Sequence, residues 1–212
     1  MAKAKSVFTC QDCGYQTAKW MGKCPECGQW NSFSEEALIK ESKAQAKSIT
    51  GRVSKPKTIN EIEEETFERY QTGISEFDRV MGGGVTKGSL TLIGGEPGIG
   101  KSTLLMEVCG KLVNNNPGEK ILYVSGEESE SQVANRSKRL GVNNSNFYIF
   151  NETNWEKILE QVKLLNPKFL VVDSIQTTHS SQVESAAGTL SQIREVTYEL
   201  MNYAKAYGLT CF

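Results

Sequence analysis

The chain has 212 residues and a formal net charge of −1 at pH 7, so it is long enough for one ordinary domain with a small appendage. No apolar run approaches the length that crosses a bilayer and none follows the lysine-containing start, which excludes membrane-spanning and secreted classes and predicts a soluble, cytoplasmic protein. Residues 1–60 carry ten Lys/Arg against five Asp/Glu, and residues 61–212 carry fourteen against twenty, which permits nucleic-acid contact at the front without requiring it.

Two cysteine pairs stand near the start of the chain, each followed directly by a glycine. The ten residues between the pairs allow a hairpin that brings four thiolates around one tetrahedral Zn²⁺. Because cysteine fills every position, the site is expected to be structural, and so small a module needs the metal to fold. A redox dithiol is the alternative for one pair. The predicted zinc ligands are Cys10, Cys13, Cys24 and Cys27.

The division of the chain follows from composition. Residues 1–33 form the predicted four-cysteine zinc module, in which Trp20 and Trp30 are expected to pack on the cysteine pairs rather than stack on bases. Residues 34–57 are rich in Lys, Glu, Ala and Ser and predict a linker. Residues 58–212 predict the main domain, which we expect to be incomplete at its carboxyl end.

A glycine-rich loop organises the main domain. It matches GxxxxGK[ST] and lies between a predicted strand, Ser89 to Ile93, and a predicted helix, Leu104 to Val113, which is the context that a phosphate-binding loop requires. Its backbone N–H groups and the start of the helix favour phosphate. Lys101 is expected to reach the β- and γ-phosphates and Ser102 to hold Mg²⁺. The predicted nucleotide-binding residues are Gly95, Glu96, Pro97, Gly98, Ile99, Gly100, Lys101, Ser102 and Thr103.

Strand and helix patterns alternate after this loop. This order predicts an α/β fold with a mainly parallel sheet and helices on both faces. Residues 208–212 read as the opening of a further strand, so we expect the chain to be a fragment of a longer polypeptide. The predicted strands are 120–125, 147–150 and 169–173, and the predicted helices are 129–140, 154–165 and 190–207.

Acidic residues end two of these strands. Asp173 closes an apolar strand 72 residues after Lys101 and is expected to hold the Mg²⁺ shell together with Ser102. Glu127 follows the predicted strand 120–125 on the same edge of the sheet and is the candidate for positioning the attacking water, with Glu128 as the alternative. Glu127 and Glu128 could instead serve only to stabilise the N-terminus of the next helix.

Arg136 lies on the helix that follows these acids. It could stack on the adenine base or pair with a neighbouring acid. Its predicted place is in the nucleotide site.

Five segments resemble the RadA (Sms) family of bacterial DNA-repair ATPases, which are RecA-like P-loop proteins. They are FTCQDCGYQTAKWMGKCPECGQWNSF, YQTGISEFDRVMGGGV, LTLIGGEPGIGKSTLL, ILYVSGEES and FLVVDSIQT, in that order. The resemblance implies a RecA-like ATPase that binds ATP, Mg²⁺ and Zn²⁺, acts on single-stranded and branched DNA, and drives branch migration as a hexameric ring alongside a RecA-type recombinase. By motif, Lys101 and Glu127 would be catalytic.

The resemblance also implies a DNA-facing loop at residues 176–192, which contains no Lys or Arg. Hydroxyl, amide and backbone groups such as those of Ser181, Gly188 and Ser191 would then make the contacts. The family's later Lys-Asn-Arg-Phe-Gly motif and Lon-like domain are absent, so we expect poor hydrolysis by this fragment alone. The alternative functions are a nucleotide-gated protein-interaction module and another RecA-like helicase relative.

Overall fold

A computed structural model describes residues 6–37, 56–61 and 67–212. Within these ranges no helix is both long enough and apolar enough to cross a membrane. Most of the predicted linker at 34–57 lies outside the described residues, and one strand of the front module continues past residue 33 to Ala37. The predicted domain boundaries therefore stay a prediction.

The front module is a small antiparallel sheet with the strand order β2-β1-β3. Its buried apolar residues are few, namely Cys10, Cys24 and Phe33, with Phe8 packed against them. A core of this size is too small to hold a sheet together unaided. The strands are β1 (Ser6–Cys10), β2 (Gln16–Thr17) and β3 (Phe33–Ala37).

The main domain is built on a parallel sheet with the strand order β7-β6-β8-β9. A separate antiparallel ribbon, β4 with β5, precedes it in the chain. The strands are β4 (Arg69–Tyr70), β5 (Val85–Thr86), β6 (Ile121–Ser125), β7 (Phe147–Asn151), β8 (Phe169–Asp173) and β9 (Thr210–Cys211).

Helices cover both faces of the sheet, as predicted from the alternation of strand and helix patterns. The helices are α1 (Ser75–Val80), α2 (Lys101–Asn115), α3 (Glu130–Arg139), α4 (Trp155–Leu165) and α5 (Leu190–Tyr207). Side chains alternate between the faces of a strand, so Ile121 and Tyr123 pack toward α2 and α3 while Leu122 and Val124 pack toward α4 and α5.

The prediction of a strand at Ser89 to Ile93 is wrong in extent. Only Leu90 forms a bridge, parallel to Cys211, with Thr91 N donating to Cys211 O at 2.9 Å and Cys211 N donating to Ser89 O at 2.8 Å. The segment pairs here with β9 (Thr210–Cys211). Leu92 is 82% exposed.

The predicted last strand is present as β9, but it lies inside the sheet. It pairs with β8 on one side and bridges Leu90 on the other. The glycine loop and the β8 end are therefore separated by one strand. Because all these strands run parallel, their carboxyl ends lie along the same edge, where α/β proteins bind ligands.

Candidate functional site

The glycine loop leads directly into α2, which begins at Lys101. Gly98 has φ 79° and Gly100 has φ 103°, conformations that glycine adopts without steric cost. The Lys101 ammonium donates to the backbone oxygens of Gly95 at 2.8 Å and Glu96 at 2.9 Å. The lysine thus lies folded over the loop whose N–H groups and helix end favour an anion.

The carboxyl end of β8 carries Asp173. The Tyr123 hydroxyl in β6 donates to Asp173 Oδ2 at 2.5 Å. Burial, together with this bond to a carboxylate, raises the pKa of Tyr123 above its ordinary value. The Asp173 carboxylate is held in place while its second oxygen stays outside this hydrogen bond. The peptide bond after Asp173 is cis.

The two adjacent glutamates have different environments. Glu127 is exposed and its Oε1 accepts a hydrogen bond from Ser174 Oγ at 2.9 Å. Glu128 is half-buried and forms an ion pair with Arg136. The acid that faces the end of β8 is therefore Glu127.

Arg136 has the second of its two predicted environments. It is 8% exposed, and its guanidinium pairs with Glu128. An adenine contact by Arg136 stays a prediction and requires that the side chain leave this pair. The helix that carries it is capped independently of both acids, by a capping box between Ser129 and Gln132.

The four cysteines form a metal-sized cluster. Their sulfurs all lie within 4.8 Å of one another, and the Sγ atoms of Cys10 and Cys27, like those of Cys13 and Cys24, are 3.6 Å apart. Tetrahedral Zn²⁺ with bonds of about 2.3 Å requires sulfurs about 3.8 Å apart. The cluster fits zinc with small shifts.

Both cysteine pairs use the same backbone turn. Gly14 N donates to Cys10 O and Gly28 N donates to Cys24 O, each at 2.9 Å. The two glycines have φ 77° and φ 76°, which explains why glycine follows each pair.

The charges of the cluster point to a cation. Burial opposes ionisation of Cys10, but hydrogen bonds from Ser32 and from nearby backbone N–H groups lower its pKa to about 6. The pKa of Cys13 rises to about 12: burial and the neighbouring thiols outweigh a backbone hydrogen bond near Tyr15 that favours its thiolate. One thiolate forms readily, but the ionisation of further thiols is opposed. A bound divalent cation would offset this opposition.

Trp20 and Trp30 pack against the module only in part, since they are 55% and 70% exposed. Their expected packing on the cysteine pairs stays a prediction. Both rings lie near Gly22, and the Lys23 ammonium lies 5.6 Å from the ring centre of Trp30. The module thus presents an aromatic surface to its surroundings.

The segment 176–192 starts three residues after Asp173 and ends in the first turn of α5. Gln192, 1% exposed, accepts from Ser180 N and donates to three backbone oxygens of this segment. Ser181 Oγ donates to Glu156 Oε2 and accepts from Asn154 Nδ2. The loop is therefore held by side chains of α4 and α5 as well as by its own backbone.

Sequence reasoning missed Tyr123 and Ser174. Tyr123 pairs with Val171, two residues before Asp173, which places the phenol and the carboxylate on the same face of the sheet. The register of β6 against β8 is set by the fold and could not be predicted from the sequence. Ser174 directly follows the predicted metal ligand, and only its contact with Glu127 singles it out.

Two family models match the chain. The ATPase model described as KaiC matches residues 70–155, which include the glycine loop and Glu127. A zinc-ribbon model described as a rubredoxin metal binding domain matches residues 8–35, which contain all four cysteines. The RecA-like fold class and the four-cysteine metal site are thereby confirmed.

Similar proteins extend over the whole chain. Those named DNA repair protein RadA from Streptococcus pyogenes serotype M1, Bacillus subtilis and Aquifex aeolicus are 48%, 49% and 45% identical to it across 100% of its residues. The chain spans 46% of each relative's length. The structure of the flagellar accessory protein FlaH from Methanocaldococcus jannaschii, 16% identical, matches with a TM-score of 0.53 over 69% of each chain and supports the fold alone. Over the part of the relatives' length that it spans, the chain is similar to the RadA proteins, and its residues 70–155 match the KaiC ATPase model.

Proposed function

We propose that the protein is a DNA-dependent ATPase of recombinational DNA repair. It hydrolyses ATP at the carboxyl edge of its parallel sheet and uses the energy on single-stranded and branched DNA. The observation that carries this proposal is the hydrogen bond of 2.9 Å between Ser174 and Glu127, which holds an exposed carboxylate beside Asp173 on the edge that also receives the glycine loop.

In this proposal the residues of the loop bind the triphosphate. Backbone N–H groups within residues 95–103 and at the start of α2 would donate hydrogen bonds to phosphate oxygens. Lys101 exchanges its two carbonyl contacts for the β- and γ-phosphates. Phosphoryl transfer depends mainly on such positioning and charge stabilisation.

The metal ions have distinct roles. When bound, Mg²⁺ neutralises charge that develops on the β- and γ-phosphates. Ser102 Oγ and Asp173 would hold it, with Tyr123 fixing the carboxylate through Oδ2. The four cysteines would hold Zn²⁺ with no free position, so their role is to fold the front module.

Glu127 would orient the attacking water toward the γ-phosphate. Its carboxylate is held at one oxygen by Ser174, which leaves the other oxygen to accept a proton or a hydrogen bond from water. Ring ATPases complete such sites with basic residues from a neighbouring subunit, so we propose a homo-oligomer, a hexamer, as the active form.

The proposed work on DNA is supported by the name of the relatives, DNA repair protein RadA. The segment 176–192 leaves the sheet at the nucleotide edge and would contact single-stranded DNA through hydroxyl, amide and backbone groups. Branch migration of recombination intermediates together with a RecA-type recombinase is the proposed outcome.

ATP turnover by the full-length protein, with and without single-stranded DNA, tests this function, and Lys101→Ala in the same protein is the matched control for contaminating activity. We expect turnover by the wild-type protein, stimulation by DNA and neither in the control. Turnover that is absent, or equal in the control, would contradict the proposal.

The alternative is a nucleotide-gated protein-interaction module, and the exposure of Trp20 and Trp30 favours it, because aromatic side chains are enriched at protein interfaces. Turnover that DNA does not stimulate would support this alternative. Loss of recombinase binding in a Trp20→Ala, Trp30→Ala double variant with unchanged ATPase activity would support it further.

A further inference from the structure

Ser174 contacts the nucleotide site and the loop that follows β8 at the same time. Its hydroxyl donates to Glu127 Oε1 at 2.9 Å. Its carbonyl oxygen accepts from Thr177 N at 3.2 Å, from Thr177 Oγ1 at 2.9 Å and from Thr178 Oγ1 at 3.1 Å. One residue therefore joins the candidate water-positioning acid to a three-bond turn.

A second contact brings the same turn against the residue before Glu127. A side-chain carbon at Gly126 would lie 2.1 Å from Thr177 Oγ1 and 3.1 Å from Thr153 Cγ2. Gly126 N also donates to Asp173 O at 2.9 Å. The Thr177 turn can approach this closely only because residue 126 has no side chain.

The residues that follow this turn are also held by hydrogen bonds and close contacts. Gln192 binds the backbone of Ser180 in both directions, at 2.8 and 3.2 Å, and Glu156 accepts from Ser180 Oγ at 2.7 Å. Gly188 lies against Gln176, so close that a side-chain carbon would be 3.3 Å from Gln176 O. Because Gln176 packs against Gly188 and Ser180 is hydrogen-bonded to Gln192, a shift of residues 181–189 would reach the Thr177 turn through these contacts.

We propose that Ser174 is a positioning residue through which the loop 176–189 sets the orientation of Glu127. A ligand held by that loop then changes ATP turnover by moving Glu127 relative to the γ-phosphate. The inference rests on the proposed function, since it assumes ATP hydrolysis and takes single-stranded DNA as the ligand of the loop.

Ser174→Ala tests the positioning role. We expect kcat to fall about 10- to 100-fold, as for loss of a hydrogen bond to a charged group, while KM for ATP and affinity for DNA stay within about two-fold, a split that a folding defect would not produce. Ser174→Thr keeps the hydroxyl and should restore most of kcat. Ser137→Ala is the matched control, because its hydroxyl donates to Val142 O away from the site.

Thr178→Val tests the coupling from the loop side. This change keeps the side-chain shape and removes one donor to Ser174 O. Thr178 is 1% exposed, so its hydroxyl is not among the loop groups that would contact DNA. We expect DNA to be bound normally but to stimulate turnover less than in the wild-type protein.

The possible outcomes are distinguishable. All variants are made in the full-length protein, and if the full-length wild-type protein does not hydrolyse ATP, the proposed function and the inference both fail. If the wild-type protein hydrolyses ATP and Ser174→Ala has the same kcat, only the positioning role fails. If Ser174→Ala and Thr178→Val keep the full stimulation by DNA, or the wild-type protein has none, the coupling is overturned.

Discussion

Glutamine substitutions of the adjacent residues Glu127 and Glu128 should affect different properties, the first ATP turnover and the second stability. Glu127→Gln keeps the shape of the side chain and removes the carboxylate that would accept a proton from water. Loss of a general base lowers turnover by about 10²- to 10⁴-fold. Affinity for ATP should not change, because in the proposed site Lys101 and the loop 95–103, not Glu127, bind the phosphates.

Glu128→Gln should instead act on stability. Breaking a buried ion pair from one side costs about 3–5 kcal/mol. The Glu128 side chain is 38% exposed, however, while that of its partner Arg136 is 9% exposed. Water therefore screens the pair, and an amide can still accept a hydrogen bond from the arginine. We expect a loss of about 1–2 kcal/mol in the free energy of unfolding, with turnover reduced less than ten-fold.

Two assays on both variants decide between these effects. Single-turnover hydrolysis of ATP measures the chemical step, and urea unfolding measures the free energy of unfolding. A fluorescent ATP analogue reports binding in each variant. Near wild-type turnover in Glu127→Gln, together with loss of turnover in Glu128→Gln, would refute the assignment and transfer the role to Glu128.

Four further predictions follow from individual contacts. Lys101→Ala should weaken binding of an ATP analogue at least about ten-fold, because a charged donor to phosphate is lost, and unchanged affinity would contradict the loop's role. Tyr123→Phe should lower the free energy of unfolding in urea by about 1–2 kcal/mol and raise the Mg²⁺ concentration needed for turnover, since the bond to Asp173 is lost. Unfolding and Mg²⁺ curves that coincide with those of the wild-type protein would contradict this. Elemental analysis should find one zinc ion per chain, and a strong chelator should unfold the front module in circular dichroism; a metal-free but folded module would be inconsistent with the cysteine cluster. Burial opposes ionisation of Glu156, but hydrogen bonds from Ser180 and Ser181 lower its pKa below the usual 4.5, so its contribution to stability is present above pH 4.5 and lost as the pH falls through the lowered value; Glu156→Gln should flatten that part of the curve of unfolding free energy against pH.

The local patterns of the sequence predict most of the chemistry. The glycine loop, the four cysteines and Asp173 are each defined by residues a few positions apart, or by the apolar strand that ends in the acid. The bounds of β8 and α5 agree with the prediction, because a fully buried strand and an amphipathic helix have distinct periods.

The order of the strands could not be predicted from these patterns. The place of β9 between β8 and Leu90 depends on hydrogen bonds across the sheet, which no local pattern of residues specifies.

The distinction between Glu127 and Glu128 also required the fold. It depends on Ser174, which lies 47 residues after Glu127 in the chain, and on Arg136 in the following helix. The exposure of Trp20 and Trp30 could not be predicted for a similar reason, since a core of three buried residues cannot enclose two indole rings.

A crystal structure of the protein with Mg²⁺ and a non-hydrolysable ATP analogue tests the nucleotide site most directly. The expected result is a triphosphate along residues 95–103, with Lys101 Nζ moved from the carbonyls of Gly95 and Glu96 to phosphate oxygens and the Glu127 carboxylate facing the γ-phosphate. A triphosphate bound elsewhere, or Glu127 turned away with Glu128 in its place, would contradict the proposed hydrolytic site.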